Sequence, residues 1–250
     1  MGLEGKVAVV TGAGRNVGAA IAARMVHDGA KVAVVDLDEG RAQATVKAIN
    51  AETPGAAEGF LCNVADKDSV AKTMEAIASH FGGIDILVNN VAITDRGATV
   101  LDLDEDEWAK VLQVTLTSVF LCTKYAGQKM VAGGRGGAVV NIGSTSGYRA
   151  RPNALAYPAA KAAVINMTRS MAAQLAPHGI RVNSVTPNKV GSPVGRDEEP
   201  ENRPRKNMLG RGCQPEDIAG AVAYMVSDDA GFVTSTDLVV DGGVLYGVMD

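Results

Sequence analysis

The chain has 250 residues, 46 % of them apolar and 21 % charged, with a formal net charge of −4. That length buries about 70–75 % of the unfolded surface, enough for a large core without disulfide or metal staples. The acidic balance argues against nucleic acid and anionic membranes as partners, and no apolar run reaches the length of a membrane span.

Lys6 to Thr11 is a short β-branched run that ends in glycine. Val17 to His27 follows with helical apolar periodicity and stops at Asp28-Gly29. Lys31 to Asp36 is a second buried strand, which completes a βαβ unit of roughly 30 residues. The alternation then continues. Helix is expected over 38–50, a strand ending at Phe60-Leu-Cys62, helix over 66–81 and strand from Ile84 to Asn89. One long helix over 104–131 precedes a strand from Ala138 to Ile142. The helix that carries Tyr157 runs to Ala176, Arg181 to Val185 is strand, a helix opens near Pro215, and Asp237 to Val240 is the last strand.

Strands of continuous apolar character alternating with helices predict an α/β protein: a Rossmann-type, doubly wound parallel sheet with helices on both faces. No linker, repeat or low-complexity tract breaks the pattern, so 1–250 reads as one domain. The least regular segment, 192–209, mixes prolines with charges of both signs. It reads either as a structural loop or as a lid over a substrate. Cys62, Cys122 and Cys213 lie far apart with no CxxC pair, and the three histidines are scattered. Free thiols in a reducing cytoplasm, and no metal site, are therefore expected. Residues 1–6 lead straight into the first strand, so no targeting peptide is expected there.

Two features of the first βαβ unit suggest a dinucleotide. Thr11-Gly-Ala-Gly-Arg-Asn-Val-Gly18 joins strand one to helix one. Glycines there permit a tight turn and close approach of backbone N–H groups to a pyrophosphate at the helix's positive end. Asp36 ends the second strand, where a carboxylate accepts hydrogen bonds from an adenosine ribose and repels a 2′-phosphate. That favours NAD over NADP. Arg15, a basic residue in the glycine turn, is the counter-argument.

Further along, Tyr157 and Lys161 are four residues apart in an Ala-rich helical stretch. This spacing stacks them on one face, about 5–6 Å apart at Cβ. An ammonium beside a phenol favours the phenolate, so the tyrosine pKa is expected to fall toward the range useful for proton transfer. Ser144, on the loop after an apolar run, is placed to present a hydroxyl to the same point.

With the Gly-rich turn, Asp36, Asn89-Asn90, Ser144 and Tyr157/Lys161 in this order, the chain resembles the classical short-chain dehydrogenases/reductases. The tail segments Gln214-Pro-Glu-Asp-Ile218 and Val240-Asp-Gly-Gly243 extend the resemblance over nearly the whole chain. The resemblance implies Tyr157 as general acid/base, Ser144 as anchor for the substrate oxygen, and Lys161 on the nicotinamide ribose. It implies cofactor contacts from Gly12, Arg15, Asn16, Val17, Gly18 and Asp36, with Asn63 and Val64 bordering the adenine and Asn90 near a ribose. Pro187 to Ser192, including Val190, would hold the carboxamide. The chain departs from the pattern at Asn16, Asn63, Val91-Ala92 and Asn188. At Thr115 the family usually has an active-site asparagine, so an impaired or rerouted proton relay is expected. The implied activity is hydride transfer between NAD and a secondary alcohol or ketone. The alternatives are an NADP-dependent reductase of 3-oxoacyl-type carbonyls and a non-catalytic NAD-binding protein. Family members pack as homotetramers or homodimers through the helices at 104–131 and 154–176. Ile93 to Arg96, Ser146 to Arg151 and the 192–209 loop are expected to face the substrate. Tyr148, Arg149 and Arg151 are either substrate contacts or solvated surface.

Overall fold

The computed structural model of the chain describes residues 2–95, 97–190, 194 and 207–247. One seven-stranded sheet, all parallel, runs in the order β3-β2-β1-β4-β5-β6-β7. In chain order its strands are β1 (Val7–Thr11), β2 (Lys31–Asp36), β3 (Ala57–Leu61), β4 (Ile86–Asn89), β5 (Gly137–Ile142), β6 (Ile180–Pro187) and β7 (Asp237–Val240). The central strands are buried on both faces, which is why they read as unbroken apolar runs rather than alternating ones. Strand order reverses between β1 and β4, and a doubly wound sheet binds ligands in the crevice beyond the carboxyl ends at such a reversal.

Among the described residues seven α-helices connect the strands: α1 (Asn16–His27), α2 (Glu39–Glu52), α3 (Lys67–Phe81), α4 (Glu105–Leu112), α5 (Ser118–Gly133), α6 (Ala156–Leu175) and α7 (Pro215–Val226). Two apolar layers result. On one face Ile21, Met25, Ile218 and Val222 pack against Ala8, Val10 and Val32. On the other, Met74, Ile77, Met130 and Val164 pack against Val9, Leu87 and Val139. Among the described residues no helix is long and apolar enough to cross a membrane.

The expected long helix over 104–131 is interrupted. Between α4 and α5 the chain makes a π-helical turn, Gln113–Thr117, with the buried Thr115 at its centre. An inserted residue of this kind shifts the backbone ladder by one position and leaves no mark on apolar periodicity.

Polar groups cross the middle of the sheet as a chain. The buried Asn89 amide donates to Thr123 Oγ1 (3.0 Å) and Asn141 Oδ1 (2.8 Å). Asn141 donates in turn to Thr168 Oγ1 (2.9 Å), whose hydroxyl donates to the Val164 carbonyl (2.8 Å). The network ties β4, β5, α5 and α6 into one register just below the crevice. Asn89→Ala leaves buried acceptors on two elements without a donor and is expected to cost on the order of 3 kcal/mol. Urea unfolding midpoints of the variant and the parent check this.

Candidate active site

The turn from β1 into α1 needs glycine on steric grounds. A Cβ at Gly18 would stand 2.1 Å from the Gly12 carbonyl oxygen, and one at Gly14 would meet Arg41 and Asp36 at 2.7 Å. Gly12 (φ +62°) and Asn16 (φ +52°) both adopt left-handed backbone. Asparagine tolerates that region better than other side chains, so the turn survives where the family has glycine. No side chain caps α1, whereas Asp38, Asp66 and Asp104 cap α2, α3 and α4. The turn has the shape of an anion cradle: small, glycine-lined and at a helix N-terminus. Val17 lies partly buried against the first core layer.

Asp36 lies over this turn, where its Oδ2 accepts from the Gly14 N–H (2.9 Å) and its Oδ1 from the Asp38 N–H (3.1 Å). A carboxylate offers about four lone-pair sites, so capacity remains for ribose hydroxyls. Arg15 is beside it; burial and the neighbouring Arg41 lower the Arg15 pKa, and Asp36 and Asp38 raise it. Asn90 closes the turn from the other side. Its side-chain amide donates to the Thr11 (3.0 Å) and Gly12 (3.2 Å) carbonyls, and its N–H donates to Thr11 Oγ1 (3.0 Å). The Asn90 amide is thus engaged in holding the glycine turn in shape.

Asn63 is exposed, and its Oδ1 accepts from the Ala65 N–H (3.1 Å), an Asx turn leading into α3. Val64 beside it is buried. Pro187 ends β6, opposite Val240. The Val190 side chain belongs to the first core layer, so anything it offers a ligand comes from its backbone. Asn188 accepts from the Thr145 hydroxyl (2.9 Å), which ties this strand end to the loop holding Ser144. Ser192 and most of the 192–209 loop lie outside the described residues, as does Arg96.

Tyr157 and Lys161 fall one turn apart on α6, as their spacing predicts, and both are buried. The ammonium lies 5.8 Å from the centre of the tyrosine ring. It does not point at the phenol, however: Lys161 Nζ donates to the Ile142 carbonyl at 2.6 Å. The expected fall of the tyrosine pKa is therefore overturned. Burial pushes the Tyr157 phenol up, opposed by the hydrogen-bonding Ser144 hydroxyl and the Arg151 charge. Burial likewise lowers Lys161, to about 8. Desolvation disfavours each charged form, and among the described residues no opposite charge cancels it.

Ser144 is buried in extended backbone, and its Oγ accepts from the Ser146 N–H at 3.1 Å. The Thr115 side chain is tied to backbone. Its hydroxyl donates to the Ile93 carbonyl (3.0 Å) and accepts from the Ile93 N–H (3.1 Å), pinning the π-turn to the segment after β4. A hydroxyl has one proton to donate, so this one cannot also donate to a water relay. Among residues expected at the substrate, Tyr148 is instead bound to Asp237 (2.7 Å), and burial first, then that contact, raises its phenol to about 12. Arg151 does reach the site's edge, with Nη1 donating to Ser146 Oγ (3.0 Å).

Asp95 is a site residue that sequence reasoning placed only within a substrate-facing stretch. Buried between β4 and α4, it accepts from the N–H groups of Leu155, Ala156 (2.8 Å) and Tyr157 (3.1 Å). One sequence signal could have found it: the residue before α6 is Leu155, which cannot cap a helix.

The sheet order and the glycine turn define the class, a doubly wound α/β fold of the Rossmann type. Residues 12–245 match the family model described as enoyl-(acyl carrier protein) reductase. D-threitol dehydrogenase of Mycolicibacterium smegmatis is 37 % identical over 245 residues, covering 96 % of this chain and 93 % of the relative. The 3-oxoacyl-(acyl-carrier-protein) reductase FabG of Vibrio cholerae is 37 % identical over 247 residues, 98 % of this chain and 99 % of its own. A solved short-chain dehydrogenase/reductase of Burkholderia xenovorans superposes with TM-score 0.91 at 39 % identity, covering 99 % of both chains. An NAD+-bound xylitol dehydrogenase superposes with TM-score 0.87 at 28 % identity, over 96 % of this chain and 99 % of that one. The chain belongs to the classical short-chain dehydrogenase/reductase family of oxidoreductases.

The lowered pKa of Lys161 has a consequence for stability. Between about pH 8 and the ordinary lysine value of 10.5 the folded chain binds fewer protons at this site than the unfolded chain. Stability contributed by the site therefore rises with pH across that window and is absent below it. Lys161→Met removes the titration. The stability difference, parent minus variant, is expected to increase from pH 7.5 to pH 10 in denaturant melts; a flat difference contradicts the burial argument.

Proposed function

We propose that the chain is an NAD-dependent dehydrogenase/ketoreductase acting on a secondary alcohol or ketone, with Tyr157 as the general acid/base. The observation that carries this reading is the convergence of Tyr157, Ser144 and Lys161 at the carboxyl end of the sheet. Ser144 comes from the loop after β5, and the other two from one face of α6. A dinucleotide suits the residues present: the tight glycine turn opens α1 with no hydrogen bond from the N-cap side chain to its first N–H groups, and Asp36 borders the turn. Gly12, Arg15 to Gly18 and Asn90 would line the pyrophosphate side, and Asp36 the adenosine ribose. Asn63 and Val64 would flank the adenine. Lys161 would hold the nicotinamide ribose, and Pro187 to Ser192 the carboxamide. When bound, the nicotinamide supplies hydride chemistry.

The chain's own residues move the proton. In the reducing direction the Tyr157 phenol gives its proton to the substrate oxygen, and in oxidation its phenolate takes one. Ser144 orients that oxygen by hydrogen bonding. Lys161 stays on the Ile142 carbonyl, in the interior of the site, and biases the field at the phenol from across the ring. Assembly as a homodimer or homotetramer through α5 and α6 belongs to the same reading; Phe120 and Val131 stand exposed on α5.

A second reading, an NADP-dependent reductase of 3-oxoacyl-type carbonyls, is favoured by one observation. Arg15 and Arg41 both pack at the turn that Asp36 covers, a basic pair suited to a 2′-phosphate. Asp36 supports the first reading. Its carboxylate is held at the turn by the Gly14 N–H, where a second anion meets it directly.

Three measurements test these assignments. Tyr157→Phe is expected to abolish NAD reduction across a panel of secondary alcohols, cyclic and aromatic ones included, while NADH still binds; turnover equal to the parent's sinks the mechanism. A phenol held up by burial stays protonated at neutral pH, so oxidation, which needs the phenolate, is expected to climb from pH 7 to pH 10 while reduction, which needs the phenol, holds nearly level. Initial rates in both directions read this. Asp36→Ala is expected to raise kcat/KM with NADP relative to NAD by about 10- to 100-fold, on the order of 1.4–3 kcal/mol.

A further inference from the structure

The geometry points to Asp95 as the positioning residue of the reaction, the group that sets where the Tyr157 phenol stands. This inference rests on the reading of Tyr157 as acid/base given above.

An α-helix begins with N–H groups that have no partner inside the helix, and buried ones need acceptors from elsewhere. At the start of α6 the donors are Leu155, Ala156 and Tyr157, followed by Pro158, which has no N–H. Ala159, the next, already donates to the Leu155 carbonyl at 3.2 Å. All three remaining donors end on Asp95: Leu155 and Ala156 on Oδ2, Tyr157 on Oδ1. The helix has no cap from its own N-cap residue and no acidic residue in its first turn. One remote carboxylate, about 60 residues upstream, thus satisfies the whole helix start. Its negative charge also sits at the positive end of the helix dipole.

Tyr157 is itself one of the three donors, so the carboxylate fixes the backbone from which the phenol projects. Asp95 is fixed in turn. Two residues earlier, both backbone polar groups of Ile93 are engaged by the Thr115 hydroxyl of the π-turn. The sequence of contacts is Thr115 hydroxyl, Ile93 backbone, Asp95 carboxylate, Tyr157 backbone. It also assigns Thr115 a part that an active-site side chain at that position would not suggest: an anchor for the positioning residue. Tyr157 completes the arrangement by packing with Ala156, Val111, Ile93 and Trp108.

The decisive variant is Asp95→Asn, which keeps shape and size but has one acceptor oxygen in place of two. Its amide can hold the Leu155/Ala156 pair or the Tyr157 N–H, not all three, and its own N–H₂ faces a donor. Misplacement of a reacting group by an ångström costs up to about 100-fold in rate. Asp95→Asn is expected to lower kcat about 10-fold, and Asp95→Ala roughly 30- to 100-fold. NADH affinity, read by fluorescence titration, should stay within about threefold of the parent, since the glycine turn is held independently by Asn90. Hydrogen exchange at the Ala156 and Tyr157 amides should accelerate in both variants. A folded Asp95→Asn protein with kcat within twofold of the parent overturns the proposal, as does a loss of NADH affinity parallel to the loss of kcat. Should Asp95→Ala fail to fold, Asp95→Asn decides by the same criteria. If the parent oxidises no alcohol, the reading of the site as a dehydrogenase fails. The exchange rates then decide separately whether Asp95 holds the helix start, and unchanged protection at Tyr157 overturns it.

Discussion

Six residues after β4 hold the active site together, and they do so through hydrogen bonds to three other elements. Asn90 donates its amide to the glycine turn, Ile93 is gripped by Thr115, and Asp95 gathers the N–H groups that open α6. Each contact answers an obligation of buried backbone, because polar groups there must be paired. The stretch starts at the reversal of strand order, the only place in a doubly wound sheet where one short loop lies beside both halves. Topology supplies the crevice, and this loop sets the distance across it.

The electrostatics of the site follow from dryness more than from pairing. Tyr157 and Lys161 are both buried, and burial moves each toward its neutral form. The charged neighbour that favours the Tyr157 phenolate is Arg151, on the loop at the rim. Lysine's ammonium is held on the Ile142 carbonyl, facing the sheet. A site arranged this way responds strongly to any charge brought into it, because the surroundings screen little.

Much of this was legible in the sequence, and the reasons are physical. Doubly buried strands announce themselves as apolar runs, and a period of 3.6 puts Tyr157 and Lys161 on one face whatever else the chain does. The glycine turn is legible because sterics at Gly18 exclude every alternative. Direction was not legible. A spacing of four residues says that an amine lies near a ring, and cannot say that a carbonyl on β5 accepts its hydrogen bond. The π-turn was hidden for a related reason, since one inserted residue leaves the apolar stripe of α4 and α5 almost continuous. Asp95 was hidden because its partners lie 60 to 62 residues away. What the sequence did carry was an absence: an apolar residue, Leu155, at a position where α2, α3 and α4 each have aspartate.

The unequal anchoring of the chain between β4 and α4 sets where the protein tolerates redesign. Between Asn90 and Asp95 the Asn90 amide, both backbone groups of Ile93 and the Asp95 carboxylate are committed to neighbours, so an insertion there unhooks the tyrosine helix from the glycine turn at once. Beyond Gly97 the same connection carries Val100 and Leu101 to the surface, 75 % and 93 % exposed, with Asp102 tied to Thr99 alone. Loop grafting, or a library of altered lengths aimed at new selectivity, has room from Gly97 to Leu103 and none in the six residues before.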